Sequence, residues 1–97
     1  MEILRKDDGR KGKFYVEQEG RQLAEMTYVW AGTGRIIIDH TEVDEALKGQ
    51  NAGRQMVASA VNFAREAKIR ILPLCPFAKS VFDKEPALHD VLAGSQA

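Results

Sequence analysis

Leu47-Lys48-Gly49-Gln50-Asn51-Ala52-Gly53-Arg54-Gln55-Met56-Val57 decides how the chain is read. Two glycines bracket a short polar turn. From Met56 onward, apolar residues recur at helical spacing: Met56, Ala60, Phe63 and Ala67, with Val57, Val61 and Ala64 beside them. A helix start exposes amide protons that have no partner inside the helix, and the macrodipole adds partial positive charge there. Glycine permits close backbone approach and positive φ, and Asn51 tolerates the left-handed region better than most residues. The turn from Gly49 through Gln50, Asn51 and Ala52 to Gly53 therefore predicts an anion cradle suited to phosphate, with Lys48 as a nearby cation. The plainer reading is structural, with Gly49 ending a loop and Gly53 letting the helix pack closely on a sheet. The Walker A pattern is absent, and no first strand feeds a dinucleotide-binding glycine fingerprint.

Upstream of the turn the periodicity is that of strands. Phe14-Tyr15-Val16 is a β-rich run, and Glu19-Gly20-Arg21 a turn. From Leu23 to Trp30, strict alternation places Ala24, Met26, Tyr28 and Trp30 on one face, which reads as core rather than a ligand platform. Arg35 to His40 reads as a strand buried on both faces. Arg5 to Lys11 is dense in charge, and Asp7-Asp8-Gly9 reads as the turn of a solvated hairpin. Downstream, Ile69 to Leu72 is a short strand stopped by Pro73. Pro76 opens a brief helix through Phe82, and Pro86 a last one from Ala87 to Leu92. Gly94 to Ala97 is expected to fray. The expected order is β-β-β-α-β-α-α: an α+β fold with a mixed, mostly antiparallel sheet, one long helix and two short C-terminal helices.

Bulk properties narrow the function. With 97 residues, the expectation is a single domain over residues 1–97. Lysine plus arginine and aspartate plus glutamate both number 14, so there is no basic excess to neutralise phosphates, and no nucleic-acid partner is expected. One cysteine builds no disulfide framework, and no Cys/His spacing suits a metal. No apolar run reaches the length of a membrane span, so no membrane partner is expected and the setting is read as cytoplasmic.

Two residues suggest chemistry. Cys75 follows a strand and directly precedes Pro76, so its thiol would sit at a positive helix end, with Lys79 one turn on. The alternative is a small buried apolar residue. His40, late on its strand, is the residue type best suited to act as a general base near neutrality, or else simply marks the strand end beside Asp39 and Thr41. His89 reads as surface, and Glu42 and Asp44 as part of the approach to the turn.

A strand, then Leu-Lys-Gly-Gln-Asn-Ala-Gly, then a long helix resembles the acetyl-CoA motif of the GNAT superfamily of N-acetyltransferases. That motif is Gln or Arg, two free positions, Gly, one free position, then Gly or Ala. Lys48 to Gly53 occupy it in order, with Lys48 at the Gln/Arg position and Asn51 at the central glycine. Asp-His-Thr-Glu-Val (Asp39–Val43) and Leu-Pro-Leu-Cys-Pro-Phe (Leu72–Phe77) are similar to a subgroup of small single-domain GNAT-like proteins. The resemblance implies a minimal acyl-CoA N-acyltransferase fold and acetyl-CoA as cosubstrate. It also implies coenzyme binding by Val43, Lys48, Gly49, Gln50, Asn51, Ala52, Gly53 and Arg54. Two central strands should diverge to pair with pantetheine, and Cys75 should lie near the thioester. The family's usual tyrosine acid has no counterpart, since no tyrosine follows Tyr28; Cys75 either replaces it as proton donor or accepts the acetyl group itself before passing it on. The family's covering N-terminal helices are not expected here, which leaves an open side for an amine acceptor, including one on a protein. Three functional readings result: an acetyl-CoA-dependent N-acetyltransferase with Cys75 and His40 as catalytic groups, a weakly active acyl-CoA-binding module, and a non-enzymatic interaction protein that keeps the fold.

Overall fold

A computed structural model describes residues 1–93; the expected fraying of Gly94 to Ala97 lies outside them. Strands β1 (Leu4–Asp7), β2 (Lys11–Gln18), β3 (Arg21–Trp30) and β4 (Arg35–Val43) form an antiparallel meander. A 3₁₀ turn (Glu45–Leu47) leads to helix α1 (Ala52–Ala67), which crosses to β5 (Arg70–Pro73). Helix α2 (Pro76–Lys84) and a second 3₁₀ helix (Pro86–Val91) complete the described chain. The sheet order is β1-β2-β3-β4-β5, and β5 joins β4 in parallel, as a helical crossover permits. This is the expected α+β architecture with one strand more than anticipated.

The additional strand is β1. Leu-Arg-Lys-Asp has no apolar alternation, so nothing in its pattern marks a strand. It is held by backbone pairing to β2 and by polar contacts. The hairpin turn is as expected: the Asp7 and Asp8 carboxylates accept from the amides of Gly9, Arg10 and Lys11.

The core lies on one side of the sheet. Phe14, Val16, Ala24, Met26, Tyr28, Ile36 and Ile38 pack against Met56, Val57, Ala60, Val61 and Ala64 of α1. Each large side chain so buried contributes about 1.5–3 kcal/mol. Phe63 is half-buried and Ala67 exposed, so the apolar stripe of α1 ends one turn earlier than its spacing suggested. β4 is likewise not buried on both faces: Ile36 and Ile38 are enclosed, whereas Ile37 points to the far side and is half-buried. α1 ends where Lys68 takes the left-handed conformation (φ 59°) and gives its amide to Ala64.

Two details of β4 position the site. Tyr28 pairs with Ile38 and Thr27 with His40, so Asp39 is an extra residue, a β-bulge. Pairing with β5 stops at Ile38 opposite Pro73; the amides of Leu74 and Cys75 both turn in to the Ile38 carbonyl. β4 runs on to Val43 alone on that side, and the two strands part.

Candidate functional site

The carboxylate of Asp44 caps the 3₁₀ turn through the Ala46 amide. Lys48 and Gln50 then spend their own amides inside the turn, on the carbonyls of Glu45 and Leu47. The expected cradle of successive amides is thus interrupted at Gln50, because the turn needs that proton to close. Gly49 has φ +84° and open space around it; Asn51 has φ 59° and starts α1 without a side-chain cap. Among the described residues, the amides of Asn51, Ala52, Gly53 and Arg54 have no acceptor. They open into a hollow of about 420 Å³ bordered by Val43, Lys48, Gly49 and Phe77. The Lys48 ammonium makes no hydrogen bond or ion pair among the described residues. These free donors and this cation fit a diphosphate.

Two side chains enter this hollow in ways the spacing did not foretell. The Phe77 ring lies against the Gly53 backbone, where an added Cβ would meet its Cζ at 2.5 Å. Gly53 lets that ring lie close, and positive φ plays no part; a methyl there would have to displace the exposed Phe77 ring. Arg54 gives Nε to Glu85 Oε2 at 2.6 Å and its NH2 to Oε1, so the guanidinium is held by a carboxylate instead of standing free. Hydrogen bonding to Glu85, then its charge, raises the Arg54 pKa further.

Cys75 is the N-cap of α2, buried, with Sγ 3.2 Å from the Thr41 hydroxyl. Lys79 does not assist it, since its ammonium pairs with Asp83 one turn along at 3.0 Å. The bulge at Asp39 decides where His40 points. Without the extra residue, His40 would follow Ile36 and Ile38 into the core side. With it, Thr41 takes that side and meets Cys75, while His40 faces outward opposite Thr27. His40 Nε2 lies 3.7 Å from Glu42 Oε1, and ligand atoms of Glu25, His40 and Glu42 all fall within 4.8 Å of one another. Glu25 is already engaged by Lys13 (3.6 Å) and Gln22. Cys75 and His40 are therefore not neighbours; they flank the strand gap from opposite faces of the sheet. His89 is half-buried rather than superficial, with Nε2 at 2.5 Å from the Phe82 carbonyl.

A second polar cluster sits at the other end of the sheet. Asp7 accepts from Tyr28 (2.6 Å), Trp30 (2.8 Å) and the Gly9 amide (2.6 Å), beside Arg5. Burial pushes the Asp7 carboxyl up, but those three hydrogen bonds and the Arg5 charge together hold it below its usual value. Burial, then the bond to Asp7, pushes the Tyr28 phenol up to about 12. Hollows of about 560 and 630 Å³ flank this hairpin, both larger than the one at α1. They are lined by the lysines and aspartates of the hairpin, Lys6, Asp7, Asp8 and Lys11, and no helix start opens into them.

An α+β sheet whose two parallel strands part beside an unsatisfied helix start defines the acyl-CoA N-acyltransferase class of fold. Residues 13–91 match the family described as GCN5-related N-acetyl-transferase, and the chain belongs to that family, in which acetyl-CoA dependence is typical. A candidate GCN5-like N-acetyltransferase from Staphylococcus aureus, solved by NMR, is 38% identical with a TM-score of 0.72, over 98% of this chain and 90% of that one. A ribosomal-protein-alanine N-acetyltransferase from Brucella melitensis biovar Abortus shares the fold at 11% identity and TM-score 0.66, over 93% of this chain and 67% of that one. An acetyltransferase from Clostridium acetobutylicum with acetyl-CoA does so at 15% and 0.61, over 76% and 55%. No match is found among curated proteins. Among the described residues no helix is long and apolar enough to cross a membrane.

Proposed function

We propose that this chain binds acetyl-CoA and transfers its acetyl group to an amine acceptor that approaches the outer face of the sheet. One observation carries the reading: β4 outruns β5 by the segment Asp39–Val43 beside four amides at the start of α1 that have no partner among the described residues. Those amides and Lys48 hold the diphosphate, and Val43 and Phe77 border its path. The unpaired edge of β4 offers backbone groups to the amide-bearing pantetheine arm, as a strand offers them to a neighbour. Acetyl-CoA supplies the activated thioester.

The chain's own groups then divide across the gap. On the outer face, His40 receives the proton of the acceptor amine, with the Glu42 carboxylate 3.7 Å from its Nε2. On the inner face, the Cys75 thiol, oriented by Thr41, gives a proton to the departing thiolate in place of the absent tyrosine. Residues before Phe14 form a hairpin at the far edge of the sheet, and the acceptor this reading favours is a bulky one such as a protein amine. A cytoplasmic setting suits a free thiol and this cosubstrate.

Titrating acetyl-CoA by calorimetry tests the binding half. Lys48→Ala is expected to weaken affinity about three- to tenfold, as loss of one charge-assisted phosphate contact does. Absence of heat and of thermal stabilisation at millimolar ligand rejects it. For the chemical half, Cys75→Ala is expected to slow acetyl transfer at least about tenfold while leaving binding intact; equal rates make the thiol a bystander.

A further inference from the structure

Arg54 and Arg65 lie about three turns apart on α1, hence on one side of it. Each grips a carboxylate with two guanidinium nitrogens: Arg54 holds Glu85, and Arg65 holds Asp90 at 2.8 and 3.0 Å. Glu85 and Asp90 stand at the two ends of the second 3₁₀ helix, so the pairs clamp that segment to α1. As clamps they are alike; their surroundings are not. Arg65 also holds the Ala87 carbonyl, and Arg70 holds the carbonyl of Asp90. Among the described residues the Glu85 carboxylate pairs only with Arg54, and both line the hollow where the free amides open.

A carboxylate is out of place at the rim of a phosphate site. It repels the ligand's charge and occupies the one guanidinium within the hollow. Arg54 is itself set against the helix dipole, since a cation in the first turn is disfavoured unless an anion is present. With the site empty, Glu85 is that anion. Phosphate oxygens on the adjoining amides would offer the same planar fork two acceptors and more charge. The Arg54 side chain is 53% accessible, so exchanging partners requires no repacking.

We propose that Glu85 sets the chain's affinity for coenzyme A by competing with the diphosphate for Arg54. Binding transfers the guanidinium from carboxylate to phosphate and unfastens the α2 end of the C-terminal segment, while the Arg65–Asp90 clamp stays closed. The proposal rests on the coenzyme reading above, and the test separates the two. Coenzyme A is titrated calorimetrically into the unmodified chain, E85Q, D90N, R54Q and R54Q/E85Q. E85Q is expected to bind about fivefold more tightly, as loss of a repulsive rim carboxylate allows. D90N, which loosens the same segment, is expected to match the unmodified chain, and in the R54Q background E85Q is expected to act less than about twofold. Melting without ligand should fall for both E85Q and D90N, which shows that each pair forms. If the unmodified chain binds and E85Q binds no better, or if D90N gains as much as E85Q, the competition is refuted. If no variant binds, the coenzyme reading fails and this proposal goes with it.

Discussion

At the hairpin end of the sheet, every polar group of the Asp7 cluster has found a partner. Tyr28, Trp30 and the Gly9 amide converge on one carboxylate, and the Arg5 guanidinium lies 4.1 Å above the Phe63 ring of α1. At the start of α1, four amides and a lysine have none among the described residues. The same helix joins the two regions, one saturated and one open. Protein interiors do not leave donors unpaired without cost. The contrast assigns the first region to holding the meander together and leaves the second open to the diphosphate proposed above.

The largest test of that division is Gly12→Ala. Its Cβ would run into the Lys6 carbonyl and lie 2.6 Å from the Tyr28 hydroxyl, displacing backbone as well as side chain. A loss of about 3 kcal/mol or more in urea unfolding is expected. Molecules that still fold should bind coenzyme A normally, and a matching loss of affinity would break the separation of the two ends. Asp7→Ala comes next. It strands three donors and should cost about 2–3 kcal/mol, again without effect on binding.

The same cluster gives stability a pH signature. Asp7 has a depressed folded pKa, so its contribution is present above the ordinary carboxylate value and fades as pH falls through the lower folded one. Tyr28 has a raised pKa, so its contribution is intact below about 10 and is lost as pH climbs through about 12. Asp7→Asn should flatten the acid limb of a chemical-denaturation series; an unchanged limb would place the titrating group elsewhere.

Smaller effects sharpen the other side. Asn51→Ala imposes left-handed backbone on a residue that resists it and should cost about 1 kcal/mol, whereas Asn51→Gly should be near neutral. At the opposite terminus, Lys68→Gly relieves the same conformation and should stabilise by about 0.5–1 kcal/mol with no change in ligand affinity. Thermal melts with and without coenzyme A read both.

Much of this is legible in the amino-acid sequence. The Gly49–Gly53 turn, the helix behind it, the late part of β4 and a cysteine before a helix-opening proline are local patterns, and local backbone rules generate them. β1 is only partly legible there: Asp7-Asp8-Gly9 marks the turn, but Leu-Arg-Lys-Asp carries no strand pattern and is placed by the partners that Arg5 and Asp7 find on β3 and α1. Nor is the facing of His40, since one bulge at Asp39 exchanges the sides of every residue after it. The one-turn spacing of Lys79 from Cys75 suggests assistance to the thiol, yet the ammonium prefers Asp83 on its own helix. Glu85 and Arg54 stand 31 residues apart, and no spacing rule joins them.

Periodicity and turn chemistry act over a few residues, so the order of the elements and the phosphate-suited turn are settled by the chain itself. Which donors remain free, which face Cys75 and His40 each occupy and which carboxylate stands beside Arg54 depend on contacts between distant segments. Those contacts exist only once the sheet has chosen its register and the helices have packed on it.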